Sequence, residues 1–185
     1  MPTPTSSKTR IPPALRKRLA AVKLFLCDVD GVLTDASVWM GMGVELKRFN
    51  ILDGFGLVML RENGVRVGWI SSRPSEATTA RARDLKIHFL LQQKGSKVEL
   101  IESILKETGC GWNEVCYAGD DIVDLGPLKR AGVAIAVANA IPEARALAHY
   151  TTRNRGGEGA VREIVELILK AQGHWDRIVK EHAAV

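Results

Sequence analysis

Along the chain, short apolar runs alternate with stretches of helical period. The runs are "KLFLCDV" (23–29), "VRVGWISS" (65–72), "IHFLLQ" (87–92), "EVCYAGD" (114–120) and "VAIAVAN" (133–139), with a last short one at "HYTTR" (149–153). Between them lie "GFGLVMLRENG", "SEATTARARDLK", "SKVELIESILKETG", "IVDLGPLKRAG" and "IPEARALA", which space their apolar residues as helices do. Near-continuous apolar strands separated by helices predict an α/β fold, a doubly wound parallel sheet covered on both faces. Gly64, Gly109 and Gly132 each stand where a helix should stop and a strand begin, as C-cap glycines do.

One stretch breaks the alternation. "ASVWMGMGVELKRFN" (36–50) carries β-formers on both sides of "GMG", so it predicts a β-hairpin projecting beyond the first strand. It is too short for a second domain, and Val38, Trp39, Met40, Val44 and Leu46 would be poorly covered in a lone chain, which points to self-association. After the last strand, "GAVREIVELILKAQGHWDRIVKEH" is amphipathic and interrupted at Gly173. The expected organisation is a basic disordered tail over 1–20 that runs into a short basic helix, one core domain over 21–173, and a C-terminal tail over 174–185.

Charge refines this picture. The net charge of +5 comes from the first twenty residues, which hold Lys8, Arg10, Arg16, Lys17 and Arg18 and no acid; the remainder carries 21 bases and 21 acids. A neutral body without a basic, aromatic-studded face argues against nucleic-acid binding. The tail has the composition of a transit peptide or a solvated extension, and the second is the simpler reading; no apolar segment follows it as in a secretory signal. Cys27, Cys110 and Cys116 are odd in number and irregularly spaced, two of them within strands, which fits free thiols in a reducing compartment. No apolar run reaches the ~18 residues of a membrane span, so the expectation is a cytoplasmic protein.

The chemistry gathers at the strand ends. In a parallel doubly wound sheet, the loops beyond the carboxyl ends of the strands share one crevice. Asp28 and Asp30 end the first strand, Ser71 the second and Asp120 with Asp121 the fourth, while Lys97 opens the helix after the third. Asp28 and Asp30, two apart on an extended chain, face the same way. Crowded carboxylates raise a pKa or require a cation, and all-oxygen donors suit a hard ion such as Mg²⁺. Asp28, Asp120 and the main-chain carbonyl of Asp30 could supply its protein ligands. An EF-hand calcium loop starting at Asp28 is excluded, because its twelfth position is Trp39. Asp35 reads equally well as a turn former.

"DVDGVLTD", "ISSR", Lys97 and "GDDIVDL" together resemble the four motifs of the haloacid dehalogenase superfamily, in order, across residues 23–172. The resemblance implies a phosphatase in which Asp28 is the nucleophile that forms an aspartyl phosphate and Asp30 the acid/base. It further implies that Ser71 and backbone N–H groups around Gly31 hold the phosphoryl oxygens and that Lys97 neutralises charge. Asp28, Asp30 and Asp120 would bind Mg²⁺, with Asp121 and Asp124 orienting its shell. Only the hairpin fills the positions where a cap domain would be inserted, so the chain resembles the capless branch.

Within that branch the hairpin, "DGFG" (53–56) and "GGEGAVRE" (156–163) resemble the 3-deoxy-D-manno-octulosonate 8-phosphate phosphatases of lipopolysaccharide sugar biosynthesis. That resemblance implies a homotetramer in which hairpins associate and a neighbouring subunit closes each site. Asp53, Gly54 and Arg73 are then candidate substrate residues, Arg73 for a substrate carboxylate. Val58 and Glu158 depart from the basic residues usual in that family, and relatives acting on 2-keto-3-deoxy-nononic acid 9-phosphate or sialic acid 9-phosphate look similar at "GGEG". The relatives acting on the nononic acid ester lack the arginine present here as Arg73. A non-catalytic scaffold would have lost some of Asp28, Asp30, Lys97 and Asp120, and a receiver-type phosphate acceptor has no place for Asp30 followed by this hairpin.

Overall fold

The computed structural model describes residues 11–184. Its centre is β1 (Leu24–Cys27), a four-residue strand buried along its whole length between β4 (Arg66–Ser71) and β6 (Val115–Gly119), parallel to both. β5 (Phe89–Gln92) extends the sheet beyond β4, and β7 (Val133–Ala136) and β8 (Tyr150–Thr151) extend it beyond β6. The order is thus β5-β4-β1-β6-β7-β8, with every pairing parallel. A strand with neighbours on both edges and helices on both faces must be apolar throughout, which is why these runs do not alternate.

The layers follow from the helical stripes. α7 (Ala160–Ala171) buries Ala160, Val161, Ile164, Val165, Ile168 and Leu169, a stripe that packs on α2 (Ile51–Glu62) and on α1 (Pro13–Ala20). α4 (Lys97–Thr108) packs on α5 (Leu125–Arg130), followed by α6 (Pro142–Leu147); α3 (Glu76–Asp84) links β4 to β5. Phe25, Trp69 and Tyr117 are the largest buried side chains, each contributing about 2–3 kcal/mol by removal from water. The loops that leave the strands for helices end on side-chain caps: Asn50 accepts from the amides of Leu52 and Asp53, Ser75 from Thr78, and Ser96 from Glu99. Among the described residues no helix is long and apolar enough to cross a membrane.

The hairpin forms as β2 (Trp39–Gly41) and β3 (Val44–Leu46), antiparallel, joined by a two-residue turn in which Met42 and Gly43 both have positive φ, 49° and 76°. That is the turn whose twist suits a tight hairpin. Trp39, Met40, Val44 and Leu46 are exposed.

Three expectations change. Residues 1–10 of the expected tail lie outside the described residues, but residues 13–20 form α1, whose Leu15 and Leu19 are buried, so the packed body starts ahead of residue 21. At the other end α8 (Trp175–Ala183) follows Gly173 as a helix, with Ile178 buried and Trp175 under the Arg162 guanidinium and the Lys170 ammonium, where a trailing tail was expected. Finally, Gly64 and Gly109 do end helices at positive φ, but Gly132 does not. A Cβ there would lie 2.2 Å from the carbonyl oxygen of Asn113, so Gly132 is required by close backbone approach.

Candidate active site

The carboxyl ends of β1, β4 and β6 meet where the sequence places its acids. The Asp28 carboxylate is nearly buried; Oδ1 accepts from the amide of Val29 at 2.7 Å and Oδ2 lies 2.9 Å from Lys97 Nζ. Burial raises the Asp28 pKa to about 6, and the Asp124 charge adds to this while Lys97 opposes it. Lys97, the first residue of α4, is itself buried. Burial works against its charge, but Asp124 and Asp28 outweigh it and raise its pKa, so it stays an ammonium.

Asp124 is fully buried and saturated. Oδ1 accepts from Lys97 Nζ at 2.8 Å and the Tyr117 hydroxyl at 2.6 Å, and Oδ2 from the amides of Asp120 at 2.9 Å and Asp121 at 3.2 Å. Carboxylate oxygens of Asp28, Asp120 and Asp124 lie within 4.8 Å of one another. With four donors already, Asp124 is suited to orient the cluster, leaving Asp28 and Asp120 to face a cation. Asp121 is exposed and closes its own turn on the amide of Ile122.

Asp120 fits a hard cation on independent grounds. Its Oδ1 is buried without any hydrogen-bond partner, a costly state that a divalent ion would relieve. Burial, then the charges of Asp124, Asp28 and Asp121, push its pKa up to about 8. Its other oxygen rests against Gly31, where a Cβ would come within 2.0 Å; only glycine admits the carboxylate, and φ of +97° there also favours glycine. Behind this loop Gly156 presses on the Gly31 carbonyl, and Asn139 ties the two together: its Nδ2 donates to Gly31 O at 2.9 Å and its Oδ1 accepts from Gly156 N at 2.6 Å. "GGEG" thus braces the acidic loop, a role invisible without the fold.

Asp30 points the other way, toward the hairpin, and does not share the face of Asp28 as an extended chain would require, because β1 ends at Cys27 and the chain turns from residue 29 onward. Its Oδ1 lies 2.7 Å from Lys47 Nζ and its Oδ2 3.9 Å from Arg73 Nε. Arg73 also pairs with Glu45, and Glu45 accepts from Ser75 Oγ at 2.6 Å. Ser71 Oγ is buried at the end of β4, donating to the Arg73 carbonyl at 3.0 Å and accepting from the Arg73 amide at 3.1 Å. Asp35 is a turn former: it accepts from the amide of Ser37 and pairs with Arg48, which in turn lies 4.0 Å from Glu158.

Asp53 and Gly54, two of the expected substrate residues, have partners of their own within the fold. Asp53 is buried between α2 and α7, with Oδ1 accepting from the amide of Arg162 at 2.7 Å. Burial raises its pKa to about 6 against the pull of the Arg162, Gly159 and Val161 amides. It therefore caps the start of α7. Gly54 leaves room for Arg81, whose Nη2 would lie 2.3 Å from a Cβ. Conversely, sequence reasoning passed over Lys47 and Glu45. Their signal was the alternation of β3, which puts Val44 and Leu46 outward and the two charged residues inward.

Residues 67–164 match the model of the haloacid dehalogenase-like hydrolases. The 3-deoxy-D-manno-octulosonate 8-phosphate phosphatase KdsC of Yersinia pestis is 40% identical over 157 residues, 84% of each chain. Two solved structures superpose closely. One is the 3-deoxy-D-manno-octulosonate 8-phosphate phosphatase of Moraxella catarrhalis in complex with a magnesium ion, a phosphate ion and KDO (TM-score 0.89, 36% identity, 91% of this chain and 97% of that one). The other is the cobalt-bound deoxy-D-mannose-octulosonate 8-phosphate phosphatase of Haemophilus influenzae (TM-score 0.81, 34% identity, 84% and 92%). The chain belongs to the haloacid dehalogenase-like hydrolases, in their capless branch.

Proposed function

We propose that the chain hydrolyses 3-deoxy-D-manno-octulosonate 8-phosphate to the free sugar acid and phosphate, in the cytoplasm and as a step of lipopolysaccharide sugar biosynthesis. By class it is a phosphoric monoester hydrolase. The observation that carries the reading is the buried group of Asp28, Lys97, Asp120 and Asp124 at the strand ends, in a chain similar over most of its length to phosphatases of that ester.

The residues supply each step. Asp28 attacks phosphorus, forming an Asp28 O–P bond as the P–O bond to the sugar breaks, and Asp30 gives its proton to the departing alkoxide. Water then forms the new O–P bond, Asp30 takes its proton back, and the Asp28 O–P bond breaks. Lys97 balances charge at Asp28, and Ser71 with the N–H groups around Gly31 would orient the phosphoryl oxygens. Asp28, Asp120 and the Asp30 carbonyl would hold Mg²⁺, with Asp124 fixing their orientation and the charge of Asp121 adding to the field at Asp120; the ion would supply neutralisation of the phosphate's charge. Arg73, already among acids at the mouth, suits the substrate carboxylate. The exposed apolar hairpin supports a homotetramer, in which a neighbouring subunit covers the otherwise open mouth.

Phosphate release from a panel of sugar acid phosphates with and without Mg²⁺ tests the reading. The eight-carbon acid should have the highest kcat/KM. Preference for the nine-carbon nononic or sialic acid esters would overturn the substrate, and release without any divalent ion would overturn the metal's role.

A further inference from the structure

Asp30 is held in a manner unlike Asp28 and Asp124. Asp28 is fixed by a backbone amide and Lys97, and Asp124 by four donors. Among the described residues the Asp30 carboxylate accepts no hydrogen bond from a backbone N–H or a hydroxyl, and its Oδ1 is buried without any hydrogen-bond partner. It has two cationic neighbours within 4 Å, Lys47 and Arg73, and Arg73 is half exposed and engaged with Glu45. The orientation of Asp30 therefore depends on Lys47.

Lys47 is built for this. Its side chain is completely inaccessible, 0% exposed, although it follows a hairpin whose outward residues are open to solvent. A buried ammonium is costly unless paired, and an immobilised lysine gives up considerable rotamer freedom. Its Nζ donates to Thr78 Oγ1 at 3.2 Å and lies 3.9 Å from Glu45 Oε1. Anchored on α3 and β3 in this way, it presents its charge 2.7 Å from Asp30 Oδ1, without hydrogen-bond alignment. The carboxylate is thus steered but remains able to turn toward a proton acceptor.

We propose that Lys47 is a positioning residue for Asp30, so that the hairpin stem completes the proton-transfer half of the active site within its own subunit. The inference rests on the phosphatase reading. Misplacing a reacting group by about 1 Å can cost ~10²-fold in rate, and the loss should appear only where the proton matters. An alkyl phosphate needs the leaving oxygen protonated, whereas an aryl phosphate leaves readily without it.

The test compares first-turnover rates of the wild-type protein, Lys47→Met and Lys47→Arg on a sugar phosphate and on p-nitrophenyl phosphate. For Lys47→Met, alcohol release from the sugar phosphate should fall by about 10²-fold, with the nitrophenol burst within about threefold of wild type. Lys47→Arg should recover part of the loss. Thr78→Val, which keeps the ammonium but removes its anchor, should shift the ratio in the same direction by less and serves if Lys47→Met does not fold. Equal losses on both substrates, or no loss on either, would overturn this inference alone. A wild-type protein that hydrolyses neither ester would overturn the phosphatase reading and the inference with it.

Discussion

Asp124→Asn is the substitution whose cost the structure specifies most completely. The carboxylate meets four donors with two oxygens: Lys97 and Tyr117 on one, the amides of Asp120 and Asp121 on the other. An amide brings one oxygen and one NH₂ group, so one pair of donors must lose its acceptor. Turning the NH₂ toward Lys97 would set it against a buried ammonium, and breaking a buried ion pair costs about 3–5 kcal/mol. Turning it toward the amides strands two N–H groups at roughly 1–2 kcal/mol each. The cheaper arrangement still costs about 2–4 kcal/mol, partly offset because the Asp124 charge raises the pKa values of Asp28 and Asp120. In thermal unfolding this is a fall of about 5–15 °C for a domain of this size. Asp121→Asn, at an exposed position, provides the control, with a change of about 0.5 kcal/mol or less. Because Asp120 is oriented through its amide, Mg²⁺ affinity measured by titration calorimetry should also drop for Asp124→Asn. A variant within 0.5 °C of wild type and with unaltered Mg²⁺ affinity would refute the argument.

Other outcomes follow from the same site. Asp28→Asn keeps the shape of the side chain but loses the nucleophile, and phosphate release should fall below a hundredth of wild type while the circular dichroism spectrum is unchanged; activity above that level would sink the covalent mechanism. Protons leave when a cation takes the place of those on Asp28 and Asp120, whose pKa values stand at about 6 and about 8. Mg²⁺ affinity should accordingly rise with pH from 6 to 8, with calorimetric heats that depend on the buffer's ionisation enthalpy; a pH-independent affinity would contradict protonated ligands in the free site. Trp39→Asp or Val44→Asp puts a charge on the exposed face of the hairpin and should lower the oligomeric state seen by light scattering, with activity falling alongside. A wild-type monomer active at nanomolar concentration would refute the shared mouth.

Much of this was legible in the chain because parallel sheets write themselves plainly: unbroken apolar runs, helix-forming gaps, and polar clusters at strand ends. Asp28, Lys97, Asp120 and Asp124 come together because they share that position in the repeat. The residues whose surroundings were not legible are those whose partners come from distant elements. Asp53 lies three residues into α2 and caps a helix that begins more than a hundred residues later, which no local pattern reveals. α1 looked like a solvated basic segment because Arg16, Lys17 and Arg18 outnumber the two leucines that dock it. Lys47 was hidden by its type, since a lysine after a hairpin is ordinarily a solvated one.

The strand order also has a consequence for how the molecule is made. No two strands of the six-stranded sheet are joined by a hairpin, and the register that matters most, Leu24 against Val115, spans about half the chain. Such long closures must be completed before they are rewarded, and chains rich in them fold slowly. Asp28 and Asp120 directly follow the two strands that this pairing joins. Their mutual approach therefore requires that long closure, and a cation held between them would report that β1 and β6 have paired.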